Sequence, residues 1–95
     1  MSVLKLKIVD LCVSDEVLPR QSNEQDVIDH YAEVLRRYEM PPLDVFYDGK
    51  VRWLADGRFR LKAHQKIGDE TVKCEVHKGT KEDAIWFACG ANSKH

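Results

Sequence analysis

Trp53-Leu54-Ala55-Asp56-Gly57-Arg58-Phe59-Arg60-Leu61-Lys62-Ala63 carries a hydrophobic strand through an Asp-Gly pair into a basic amphipathic segment, and the rest of the chain is arranged around that junction. The stretch reads as strand, glycine turn, helix. Beyond Gly57, Phe59, Ala63 and Ile67 recur every four residues with Leu61 beside them, while Arg58, Lys62 and Lys66 form a second stripe at the same spacing. One helix face is therefore expected to pack and the other to be basic and solvated. A helix N-terminus leaves its first amides unpaired and carries partial positive charge, so a glycine just before it, with arginines following, suits an anion pocket. Asp56 is expected to cap this helix rather than to act as a catalytic acid.

Upstream, Val3 to Val9 alternates apolar residues with lysine from Leu4 to Ile8, the period of a strand with one wet face. Asp10 to Asn23 is polar and contains Pro19, so it reads as a connection with Arg20 near its end. Glu24 to Tyr38 places Val27, Ile28, Tyr31, Val34, Leu35 and Tyr38 at helical spacings behind Ser22 or Asn23 as cap, with a face suited to a sheet. Pro41-Pro42 ends it. Leu43–Tyr47 and Val51–Leu54 then read as a hairpin turning on Asp48-Gly49-Lys50.

Downstream, Gly68 stops the central helix and Thr71 to His77 alternates as a further strand. After Gly79, Thr80 with Asp83 resembles a capping box with Asp in place of Glu, opening a helix through Ala84, Ile85, Phe87 and Ala88. The element order strand, helix, strand, strand, helix, strand, helix predicts an α+β (mixed α/β) domain, a small mixed sheet of about four strands packed with three helices.

With 95 residues, 43% apolar and 33% charged, the chain has the balance of one soluble globular domain rather than of a disordered segment. Residues 1–95 are expected to be a single domain and the N-terminal part of a longer protein. The net charge of −1 argues against a protein that coats nucleic acid non-specifically. No apolar run approaches a membrane span and no signal-peptide core is visible, so a cytoplasmic location with no membrane partner is expected. Cys12, Cys74 and Cys89 lie far apart without a C-x-x-C pair, excluding a zinc knuckle or disulfide framework; Cys74 and Cys89 are expected as buried structural thiols. His30, His77 and His95 have no i, i+4 partner, so no metal site is assigned and they are expected to pack or face solvent. Trp53 and Trp86 are expected in the core, and no catalytic residue is assigned.

A set of ordered segments carries a wider resemblance: Leu18-Pro19-Arg20, Asp26-Val27-Ile28, Tyr31-Ala32-Glu33, Pro41-Pro42-Leu43, Leu54 to Ala63, Ile67-Gly68, Glu75-Val76, Gly79-Thr80, Asp83-Ala84 and Ala91 to His95. Together they resemble the ParB/sulfiredoxin superfamily, in particular its ParB-like N-terminal (ParB-like nuclease) domain. The resemblance implies that Gly57 and Arg60 belong to a G-x-x-R loop that binds nucleotide phosphates, with Arg58 on the same turn, Arg20 contributing charge, and Asn92 closing the pocket. It implies CTP or another nucleotide with Mg²⁺ as ligand, ligand-gated self-association into a homodimer, and DNA contact through regions outside this chain. A nucleotide- or phosphate-binding regulatory domain of a DNA-associated partition or transcription-regulating protein follows. Ala91 stands where the family's E-N-x-x-R segment has glutamate and His95 where it has arginine, which removes a carboxylate suited to Mg²⁺. Arg58 stands where a sulfiredoxin has its cysteine and Phe59 where it has histidine, which argues against sulfiredoxin chemistry. Two alternatives stay open: a metal-dependent nuclease or nucleoside triphosphatase, and a protein-association module without a ligand.

Overall fold

The alternation at the start of the chain forms strand β1, Ser2–Lys7, in a computed structural model that describes residues 2–91. A single turn of 3-10 helix, Ile8–Asp10, leads into a two-residue strand β2, Leu11–Cys12. Helix α1, Glu24–Leu35, precedes strands β3, Leu43–Tyr47, and β4, Arg52–Asp56. Helix α2, Arg58–Lys66, strand β5, Thr71–Lys78, and helix α3, Lys81–Ala91, complete the order.

The five strands lie in one sheet in the order β1-β5-β3-β4-β2. β1 with β5 and β3 with β4 are antiparallel, whereas β5 with β3 and β2 with β4 are parallel. The fifth strand departs from the four expected: β2 pairs only Leu11 with Arg52 and Cys12 with Trp53, too short for any period to announce it. Between β3 and β4, Val45 faces Leu54 but Asp44 faces Asp56, so Ala55 is an extra residue. That bulge bends β4 just before Gly57 and sets the direction in which α2 leaves the sheet.

Each sheet face carries its own core. Leu43, Val45, Leu54, Val72 and Cys74 join Ile8 and Leu61 of α2 on one side, while Ala55, Val17 and the α3 residues Ala84 and Ala88 join on the other. α1 packs on α2 rather than on the sheet as its amphipathic face suggested, with Ile28 and Ala32 buried. The helix ends at Leu35, short of Tyr38, which is exposed.

Local chemistry accounts for the turns. Asp48 Oδ1 accepts the amides of Lys50 at 2.9 Å and Val51 at 2.7 Å, and Gly49 supplies the φ of 101° that the hairpin needs. The Thr80 amide donates to Asp83 Oδ2 at 2.8 Å and the Asp83 amide to Thr80 Oγ1 at 3.2 Å, a reciprocal capping box. Trp86, by contrast, is 77% exposed rather than in the core, and Trp53 is half-buried with its Nε1 donating to Asp48 at 3.2 Å.

The cysteines separate by environment. Cys74 is fully buried in β5, where burial and then the nearby Asp44 carboxylate push its thiol up to about 11, whereas Cys89 is exposed on α3. Since the thiolate is the reactive form, alkylation at neutral pH is expected to modify Cys89 in the native protein and Cys74 only after denaturation. Mass spectrometry of peptides labelled before and after unfolding checks this.

Candidate functional site

Gly57 adopts φ 100° and ψ 27° between the end of β4 and the start of α2. That left-handed conformation is readily available to glycine and strained for other residues. A Cβ there would lie 2.9 Å from Leu43 Cγ, 3.1 Å from Arg60 Nη2 and 3.3 Å from Arg60 Cζ. Gly57 therefore lets the sheet core and the Arg60 guanidinium close against the same backbone atom. Gly57 itself occupies the N-cap position without a side-chain cap, so Asp56 ends β4 instead of capping α2. The first intrahelical bond runs from the Leu61 amide to the Gly57 carbonyl at 2.8 Å, which leaves the amides of Arg58, Phe59 and Arg60 outside the helical ladder.

Arg60 is half-buried beside this turn. Its Nη1 donates to the Pro41 carbonyl at 2.9 Å and the Pro42 carbonyl at 3.1 Å, and its Nη2 lies 3.5 Å from Asp56 Oδ2. The diproline thus ends one helix and also offers two carbonyls that hold the arginine across the turn. Asp56 supplies the negative partner that an incoming anion would replace.

Arg58 is placed otherwise than a basic helix stripe suggests. It is buried, at 6% exposure, and donates through Nε to Glu24 Oε1 at 3.2 Å and through Nη1 to Asp15 Oδ1 at 3.3 Å and the Leu18 carbonyl at 2.9 Å. This guanidinium ties the connection before α1, and the first residue of α1, to the start of α2. Arg20 lies 3.8 Å from Asp15 on the surface, with its side chain 72% exposed. Asn92 lies outside the described residues.

A cavity of about 430 Å³ opens over the turn. Gly57, Arg58, Phe59 and Arg60 form its floor, Leu18, Pro19 and Gln21 one wall, and Ala88 and Cys89 of α3 another. Arg20 is not among its lining residues. Tyr31 of α1 and Phe59 meet edge to face at 6.4 Å and close the cavity toward α1. The cavity joins a glycine turn, free helix amides and an arginine with aromatic surface, which suits a phosphorylated ligand carrying a flat group.

The carboxylates nearest the turn in sequence do not gather there. Asp83 caps α3 and Asp56 faces Arg60, while Glu75 lies on β5. Glu75 does approach Asp44 and His77, and the three offer ligand atoms within 4.8 Å of one another. Sequence spacing misses this trio because it is assembled across β3 and β5, where parallel register sets Asp44 beside Glu75 and Phe46 beside His77.

No family model matches the chain. Over 63 residues, 65% of its length, it is 33% identical to the chloroplastic/mitochondrial sulfiredoxin of Arabidopsis thaliana, and it spans half of that relative, 50%. The crystal structure of sulfiredoxin from Arabidopsis thaliana superposes with a TM-score of 0.76 at 25% identity, covering 92% of this chain and 97% of that one. The C-terminally truncated chromosome-partitioning protein ParB from Caulobacter crescentus, complexed with CTP-γ-S, superposes with a TM-score of 0.80 at 17% identity, covering 100% of this chain and 54% of that one. The mixed five-stranded sheet with three helices matches the fold of these relatives, and the chain belongs by fold to the ParB/sulfiredoxin superfamily.

Proposed function

We propose that this domain is a nucleotide- or phosphate-binding regulatory domain of a DNA-associated protein. The observation that carries the reading is the Gly57 turn. A left-handed glycine opens α2 at the floor of a cavity of about 430 Å³, with the Arg60 guanidinium folded against it. Phosphate oxygens accept from the amides of Arg58, Phe59 and Arg60, and Arg60 Nη2 exchanges Asp56 for the ligand. Arg58 serves this site by holding its wall, and Arg20, exposed beside Asp15 and outside the lining, contributes its charge only at longer range. Nucleotide binding in the Caulobacter ParB structure makes CTP with Mg²⁺ the first ligand to test. On this reading the bound ligand gates self-association into a homodimer, and DNA is contacted by other parts of a longer protein. The pairing of Arg60 with protein groups supports the second reading, a module for protein association that uses the fold without a ligand.

Calorimetric titration of the domain with CTP, ATP, GTP and inorganic phosphate in Mg²⁺ separates the readings. A charge-assisted hydrogen bond contributes about 1.5–3 kcal/mol, so Arg60→Ala is expected to weaken binding by about 10- to 100-fold. The same variant loses only about 1 kcal/mol of stability, because its protein partners are carbonyls beside solvent and an exposed carboxylate. Absence of heat with all four ligands would support the association module.

A further inference from the structure

We infer that Asp44, Glu75 and His77 form a binding site for a divalent transition-metal ion, zinc foremost, on the α3 side of the sheet. The strands dictate the grouping. β3 and β5 run parallel with Asp44 paired to Glu75 and Phe46 to His77, and alternate residues of a strand point to the same face. Asp44 Oδ1 and His77 Nε2 are 3.0 Å apart, and an oxygen from Glu75 completes a set whose members all lie within 4.8 Å.

Those separations suit coordination. Zinc holds imidazole nitrogen and carboxylate oxygen at about 2.0–2.2 Å, which puts neighbouring ligands of a tetrahedron roughly 3.3–3.6 Å apart. The aspartate and histidine already sit at that scale, and a rotation of the Glu75 side chain closes the third edge. A fourth, open position is left for water.

The histidine is held in place before any ion arrives. Its ring stacks on Phe46 at 4.8 Å with an interplanar angle of 18°, and meets Phe87 of α3 at 5.2 Å. Packed against both rings, which also touch each other at 5.4 Å, it keeps Nε2 within hydrogen-bond distance of Asp44. His77 and Asp44 are 14% and 21% exposed, so the pair is largely withdrawn from solvent.

Charge balance points the same way. Among the described residues, Asp44 has His77 as its ion-pair partner, and neither Asp44 nor Glu75 pairs with a lysine or arginine. Two half-buried carboxylates share one imidazole, and a divalent cation offsets the repulsion between them. One imidazole with two carboxylates favours zinc or manganese over magnesium, whose preference is for oxygen ligands and retained waters.

Titration of the metal-free domain with Zn²⁺, Mn²⁺ and Mg²⁺ tests the site, with circular dichroism confirming that each variant is folded. One zinc per chain is expected, with Mn²⁺ weaker and no competition from Mg²⁺. Glu75→Gln and Asp44→Asn are each expected to weaken zinc by at least about tenfold, the scale of an altered ligand shell. His64→Gln, placed elsewhere, is expected to leave affinity unchanged. Two spectroscopic readouts keep the result independent of variant stability: the His77 imidazole resonances shift on zinc addition, and the Co²⁺ form shows bands of oxygen and nitrogen coordination without a thiolate charge-transfer band. No zinc binding, binding unaltered in Glu75→Gln, or a thiolate band from the cysteines would overturn the proposal.

Discussion

Replacing Gly57 with alanine is expected to destabilise the domain by about 2–5 kcal/mol and to abolish binding of a phosphorylated ligand. Two separate costs add. A non-glycine residue at φ 100° costs about 1–2 kcal/mol in backbone strain. The new methyl group also meets Leu43 Cγ at 2.9 Å. Leu43 is fully buried in the core shared by the sheet and α2, so it has no open space into which to turn, and such overpacking costs about 1–3 kcal/mol. Gly49 separates the two. It has nearly the same φ, 101°, but a Cβ there meets nothing within 4 Å, so Gly49→Ala should cost the strain alone, about 1–2 kcal/mol. Urea unfolding of the two variants measures the difference. Equal midpoints would show that Leu43 yields and that the close approach at Gly57 does not matter to stability.

The elements most legible in the sequence are those whose causes lie within a few residues. Asp48-Gly49 specifies its turn through a carboxylate that reaches two amides, and Thr80 with Asp83 specifies a helix start through two reciprocal bonds. Gly57 belongs with them, because a strand, an Asp-Gly pair and a basic helix leave little choice for the backbone between. What the sequence conceals depends on distant partners. Arg58 shares a stripe with Lys62 and Lys66 and reads as a solvated charge. It is buried because Asp15 and Glu24, 43 and 34 residues away, come to meet it. Strand β2 owes its existence to a neighbour, Arg52–Trp53, rather than to any pattern of its own. α1 advertises an apolar face but not its target, and α2 fills that role. Asp44, Glu75 and His77 are unremarkable until the parallel register of β3 and β5 is known. A period-two reading places Glu75 and His77 on one face of a strand, and the missing signal is the identity of the strand beside it.

Arg58→Ala is the second large effect, about 2–3 kcal/mol of stability, and it tests whether the wall of the cavity is held by this one side chain. The loss is smaller than that of breaking a fully buried ion pair because Asp15 is 65% exposed and water can solvate it once the arginine is gone. Glu24, at 20% exposure, regains less, and the Leu18 carbonyl loses a charged donor at 2.9 Å. Removing the guanidinium also leaves unfilled volume between the connection and α2. Arg58→Lys is not expected to rescue the protein, since one ammonium cannot reproduce the planar fork that reaches Glu24 through Nε while Nη1 meets Asp15 and Leu18. Hydrogen exchange locates the effect: the Val17 and Leu18 amides, bonded to the Ser14 carbonyl at 3.1 Å and 2.9 Å, should lose protection before the strands do. Unaltered exchange there would show that the connection is held by Val17 packing under α3 instead. Because Leu18 and Pro19 form one side of the cavity, the same variant should weaken ligand binding without removing a ligand contact. Arg60→Ala should show the reverse proportion, a large loss of binding with little loss of stability. That contrast assigns the two arginines of one helical turn to different tasks. It also explains why a reactive thiol has no place at position 58: the residue there is committed to holding three separated segments together, and a side chain as short as cysteine could not reach them.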